Sequence, residues 1–136
     1  MNLTEQLKRH EGFRRYPYHC SAGKLTIGFG RNLEDVGIDK EEAERLLEND
    51  VQKVKTALVR KLPWYQTISP VRQAVLENMA FNMGVAGLLT FKKMLRTVKS
   101  GDYASASNEM LDSLWAKQVG KRATELAEQM KTGRWA

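Results

Sequence analysis

Three side chains at fixed separations could carry chemistry. Glu11 supplies a carboxyl group. Eight residues intervene before Cys20, and five more before Thr26, the first residue of the run Thr26-Ile27-Gly28-Phe29-Gly30. Cleaving a glycosidic bond needs an acid to protonate the leaving oxygen. It also needs a group on the opposite face to activate water or to trap the cation. A carboxyl at the end of a helix suits the first task, because the partial negative charge there favours the protonated form. A threonine hydroxyl, with one donor and two lone pairs, can hold a water molecule. Taken singly, each residue also has a plainer reading: Glu11 as a solvated surface acid, Thr26 as a β-branched strand residue, Cys20 as a small packed thiol.

The surrounding pattern supplies elements that could position them. Thr4–Arg9 reads as a short helix stopped by Gly12. Phe13–Tyr18 and Lys24–Phe29 read as strands joined by the turn-like His19–Gly23, and Arg31–Leu33 as a third strand. Gly28 and Gly30 flank Phe29, which suggests a bend or a close backbone approach. Asp39 is an N-cap with Glu41 and Glu42 in the first turn. Ala43, Leu46, Leu47, Val51, Val54 and Leu58 continue at helical spacing for about twenty residues, roughly 30 Å. Ser69-Pro70 opens a helix that Gly84 ends. Further stripes run from Phe91 to Val98, from Asp102 through Ala106, Met110 and Leu114, and from Arg122 to Met130. The expected fold is α+β and mainly helical, one domain over residues 1–136. A small β-containing N-terminal lobe (about 1–38) and a larger helical C-terminal lobe (about 60–136) are joined by a long helix (about 39–59).

The segment HEGFRRYPYHCSAGKLTIGFGRNL resembles the phage-type lysozymes, glycoside hydrolase family 24. Their signature is a glutamate, eight residues, an aspartate or cysteine, five residues, and a threonine in a T-I-G-x-G strand. Asp39–Glu44 is similar to the start of that family's inter-lobe helix. Val71–Val75 through Asn78–Gly84 is similar to its central core helix. Ser113-Leu114-Trp115, Lys121-Arg122-Ala123 and Lys131–Trp135 resemble its C-terminal end. The match covers essentially the whole chain, and the region after Leu33 is short where larger members carry extra sequence.

The resemblance implies a lysozyme-like fold with the substrate groove between two lobes. It also implies a muramidase that cleaves the β-1,4 bond between N-acetylmuramic acid and N-acetylglucosamine of bacterial peptidoglycan. Glu11 would be the buried proton donor, and Thr26 would hold the attacking water. Arg122 would pair with the glutamate and lower its pKa, against burial and the helix dipole. Asn32, Phe81 and Asn82 match positions lining the cleft, Phe81 being equally readable as core. Arg31 and Asp50 match a pair that forms an ion pair in the small lobe. Many members carry aspartate where this chain has Cys20, and three readings stay open. A thiolate could act as base or nucleophile, with its pKa lowered by Arg14, Arg15 or Lys24. A neutral thiol could shape the water site. Or the residue is simply packed. The family is generally inverting, which places acid and base about 6.5–9.5 Å apart, whereas a nucleophilic cysteine needs closer approach.

Composition limits the alternatives. Hydrophobic residues make up 42% and charged residues 28%, enough for a folded core. The single cysteine rules out an intrachain disulfide. No apolar leader or membrane-length run is visible, so the chain is expected to stay in the cytoplasm. The resemblance implies that it remains in the host cytoplasm until a holin opens the way to the wall. A monomer is expected. A net charge of +6 favours an anionic partner: wall polymer, acidic lipid or nucleic acid. Against nucleic acid, the cations are scattered and no helix-turn-helix or RNA-binding signature occurs. No cofactor is expected. His10 and His19 lack metal-site spacing, and Gly28-Phe29-Gly30 lacks the third glycine of a phosphate loop. A basic nucleic-acid-binding protein and a non-hydrolytic wall-binding homologue remain as rivals. So does a lytic transglycosylase, against which a water-holding Thr26 argues.

Overall fold

A computed structural model describes all 136 residues, arranged as two compact units, Met1–Leu46 and Leu47–Ala136. The division falls inside a single helix. Eight helices and one three-stranded antiparallel sheet make up the chain, the α+β, mainly helical class expected.

In the first unit, α1 spans Leu3–Glu11. Asn2 caps it by accepting the Glu5 amide at 2.9 Å. At the other end Gly12, at φ +70°, donates its amide to Lys8 O and turns the chain away. The strands β1 (Arg14–His19), β2 (Leu25–Gly28) and β3 (Arg31–Asn32) pair in sequence order. Tyr18 faces Thr26 across the first pair, and Thr26 faces Asn32 across the second. β1 is an edge strand, with a register shift between Arg14 and Tyr18. Thr26, on the central strand, is the only buried residue of this unit. Its stability therefore rests on polar ties more than on an apolar core.

The strongest of those ties closes β3 onto the next helix, α2 (Lys40–Lys61). Asp39 and Glu42 form a reciprocal cap: Asp39 Oδ1 accepts the Glu42 amide at 2.8 Å, and Glu42 Oε1 accepts the Asp39 amide at 3.1 Å. Arg31 donates to both oxygens of Glu42, at 2.8 and 2.6 Å, and to Gly37 O at 3.0 Å. The expected partner of Arg31, Asp50, is not the one it takes. Asp50 lies eight residues further along α2, about 12 Å along the axis. Glu42, in the first turn, stands where the connection from β3 arrives.

The second unit holds the apolar core. It contains the rest of α2, a 3-10 turn at Tyr65–Thr67, then α3 (Pro70–Met83), α4 (Val85–Leu89) and α5 (Lys92–Ser100). α6 (Tyr103–Leu111), α7 (Leu114–Val119) and α8 (Lys121–Thr132) follow. Leu58, Val75, Leu76, Met79, Leu88, Met94, Val98, Met110 and Met130 are buried at its centre. Each such side chain contributes roughly 1.5–3 kcal/mol on leaving water. The stripe from Ala106 to Leu114 is not one helix. Ser113 Oγ accepts the Ala116 amide and donates to Met110 O, so it ends α6 and caps α7. α3 and α8 are bolted along their length. Gln129 donates to Val71 O at 3.0 Å, and Arg72 donates to Met130 O at 2.8 Å while stacking 3.6 Å from the Tyr103 ring centroid.

Candidate active site

The first unit brings three of the expected residues onto adjoining elements. Glu11 is the last residue of α1. A Cβ built on Gly30 would stand 2.8 Å from Glu11 Oε2 and 3.0 Å from its Cδ. The carboxylate therefore lies directly on the backbone of the β2–β3 turn. Gly30 also sits at φ +83°, a conformation that suits glycine. Here the close approach suggested by the flanking glycines is realised, and its object is the candidate acid.

Glu11 is nevertheless exposed, not buried as expected. The physical reason lies in its helix: α1 buries none of its residues, and Leu3 and Leu7 are 67% and 45% exposed. With no apolar layer to cover it, a carboxylate at the end of α1 stays in contact with solvent. No group of the first unit hydrogen-bonds or ion-pairs with it.

Cys20 and Thr26 meet across the turn between β1 and β2. The Cys20 amide donates to Lys24 O at 2.9 Å, and the Thr26 hydroxyl donates to the same oxygen at 2.8 Å. Gly23 N donates to Cys20 O at 2.8 Å and tightens the loop. The backbone amides of Lys24 and then Ala22 hold the thiol below its ordinary pKa, and partial burial opposes them. Backbone amides do this work, where the sequence had suggested Arg14, Arg15 or Lys24 side chains. Cys20 is half-buried and Thr26 is 3% exposed. One sulfur is thus accessible beside one fixed hydroxyl.

Asn32, opposite Thr26, uses its side chain locally. Its Nδ2 donates to Asp35 Oδ2 at 3.0 Å, and its Oδ1 accepts the Asp35 amide at 3.1 Å. No three His, Cys, Asp or Glu side chains gather where an ion could be held.

The second unit carries the remaining candidates. Arg122, near the start of α8, donates from Nε and Nη2 to Asn78 Oδ1 of α3, at 3.0 and 2.7 Å. Phe81 is 44% exposed and so belongs to the surface, not the core. It lines a hollow of about 250 Å³ together with Val51, Val54, Ala74, Asn78 and Arg122. Asn82 Oδ1 accepts the Trp115 indole N–H at 2.8 Å. Three parts of this arrangement had no signal in the sequence. They are the Lys24 carbonyl, which is backbone, and the partners Asn78 and Glu42, which are polar residues among many.

Comparison with known proteins adds an independent line. The phage lysozyme family model matches residues 8–132. The chain is 36% identical over 133 residues to an endolysin of Acyrthosiphon pisum secondary endosymbiont phage 1, covering 90% of this chain and 86% of that protein. It is 32% identical to the pre-baseplate central spike protein Gp5 of Enterobacteria phage T4, covering 98% of this chain but 28% of that longer protein. A probable T4-type lysozyme of Dictyostelium discoideum is 28% identical, with 97% and 95% covered. On the match across residues 8–132, the chain belongs to the phage lysozyme family of glycoside hydrolases.

Proposed function

We propose that this chain is a peptidoglycan hydrolase that cleaves the β-1,4 bond between N-acetylmuramic acid and N-acetylglucosamine. The observation that supports this most is the seating of the Glu11 carboxylate on Gly30, at the head of the sheet that carries Thr26 and leads from Cys20. Glu11 protonates the bridging oxygen, and the sugar develops oxocarbenium character. Water held by the Thr26 hydroxyl and the Cys20 sulfur then adds to the anomeric carbon. The Thr26 proton is directed at Lys24 O, so its lone pairs face outward as acceptors. The lowered pKa of Cys20 lets its thiolate accept a proton from that water where an aspartate would otherwise serve. Asn32, Phe81, Asn82 and Arg122 are the proposed supports for substrate and charge.

In a phage setting the chain acts as a monomer. It waits in the host cytoplasm and reaches the wall after a holin opens the membrane. Mass spectrometry of muropeptides released from purified sacculi tests the reaction. Hydrolysis gives reducing N-acetylmuramic acid ends. Anhydro ends mean a transglycosylase, and no release means a wall-binding protein.

A further inference from the structure

We propose that the corner formed by α1 and β1, which includes the candidate acid Glu11, also serves as a docking surface for an anionic lipid bilayer. The eight residues Lys8–Arg15 hold four cations, Lys8, Arg9, Arg14 and Arg15, and one acid, Glu11. Their net is +3; the equally long Lys92–Lys99 is at least as basic but carries no exposed aromatic ring. None of the four cations is in an ion pair, whereas Lys24 and Arg31 are paired with Asp35 and Glu42. Unpaired cations keep their full field for an outside partner.

What selects a bilayer over a soluble polyanion is the company these cations keep. Phe13 is 61% exposed, Phe29 49% and Tyr16 71%. The Phe13 and Phe29 rings lie 5.6 Å apart, and Lys8 Nζ stands 5.8 Å from the Phe29 centroid. The Arg15 guanidinium lies 5.6 Å from the Tyr16 ring. Exposed phenyl rings beside ammonium and guanidinium groups match the headgroup–acyl boundary, where the rings enter the apolar layer and the cations meet phosphate. A glycan can also stack a sugar face on such rings, so sacculi form the parallel arm of the test. Strand addition by a partner protein is disfavoured at the same edge, because Pro17 interrupts the N–H row of β1. No helix is long and apolar enough to cross a membrane, so the contact is with the surface.

The test is co-sedimentation of the full chain with vesicles of phosphatidylethanolamine and phosphatidylglycerol, against phosphatidylcholine alone, with purified sacculi in parallel. Binding is expected to the anionic vesicles and not to phosphatidylcholine, and to weaken with salt; sacculi, the proposed substrate, bind separately through the hydrolytic site. Arg14→Gln with Arg15→Gln should weaken it roughly 30-fold, from two surface cations. Phe13→Ser, which leaves net charge unchanged, should weaken it about tenfold or more. Glu11→Gln should retain it, so loss of hydrolysis and loss of docking are separable. Lys117→Gln with Lys121→Gln should leave it unchanged. Equal loss in that control pair, no effect of Phe13→Ser, or binding to sacculi without binding to vesicles would each overturn the proposal.

Discussion

Cys20 and Thr26 hang from one oxygen: Lys24 O accepts the Cys20 amide at 2.9 Å and the Thr26 hydroxyl at 2.8 Å. This shared acceptor ties the backbone at Cys20 to the hydroxyl of a residue six positions further on in sequence. It also orients the hydroxyl proton away from any water at the site. The five-residue spacing in the motif thus has a mechanical meaning. It is the length of a tight turn plus one strand step.

The thiol should ionise more readily than a free cysteine. Its pKa is lowered by neighbouring backbone amides, so its thiolate fraction at pH 7–8 exceeds that of the same thiol without them. The rate of iodoacetamide alkylation against pH should have its midpoint below that of a model cysteine peptide. A midpoint at or above that of the peptide would remove the basis for a thiolate role.

Substitution at position 20 separates the three readings of the cysteine. Cys20→Ala should lower lytic activity, and Cys20→Asp should retain or raise it, since a carboxylate is fully ionised at neutral pH. Turbidity loss of outer-membrane-permeabilised cells reads both. Parent-like activity of Cys20→Ala from pH 5 to 9 would leave position 20 with no part in the chemistry.

Gly30→Ala should damage the acid without unfolding the chain. The added Cβ would meet Glu11 Oε2 at 2.8 Å, and a non-glycine residue at φ +83° costs about 1–2 kcal/mol. Activity should fall at least tenfold, the cost of misplacing a catalytic group. Circular dichroism should stay close to parent. Activity within twofold of parent would show that Glu11 needs no fixed seat on the turn.

Much of this was legible beforehand, and the gaps have physical reasons. Helix starts were readable because Ser and Asp caps act within three residues, as at Ser69 and Asp102. Gly12 and Gly84 marked helix ends for the same local reason. The break at Ser113 was not readable, because apolar spacing through Met110 and Leu114 continues across it. Burial of Glu11 was misjudged, since a motif specifies residue types but not the apolar cover around them. The Arg31 partner was misassigned because an ion pair depends on where a connecting loop delivers the chain. Backbone acceptors such as Lys24 O leave no trace in side-chain identity.

The Arg31–Glu42 clasp gives a pH signature. Arg31 first, then the Asp39 amide, hold the Glu42 carboxyl down at about 2 against an ordinary 4.5. A depressed folded-state pKa stabilises above the unfolded value and is lost as pH falls through the folded one. Glu42→Gln should therefore weaken amide-exchange protection of β2 and β3 at pH 6. Its difference from parent should shrink between about pH 4.5 and 2. A difference independent of pH across that window would mean that the pair's charge contributes nothing.

The most direct measurement is release of reducing ends from purified sacculi by parent and Glu11→Gln, with muropeptides identified by mass spectrometry and folding checked by circular dichroism. The expected result is reducing N-acetylmuramic acid ends from parent and none above background from a folded Glu11→Gln. A folded Glu11→Gln that releases the same products at the parental rate would contradict the assignment of the proton donor.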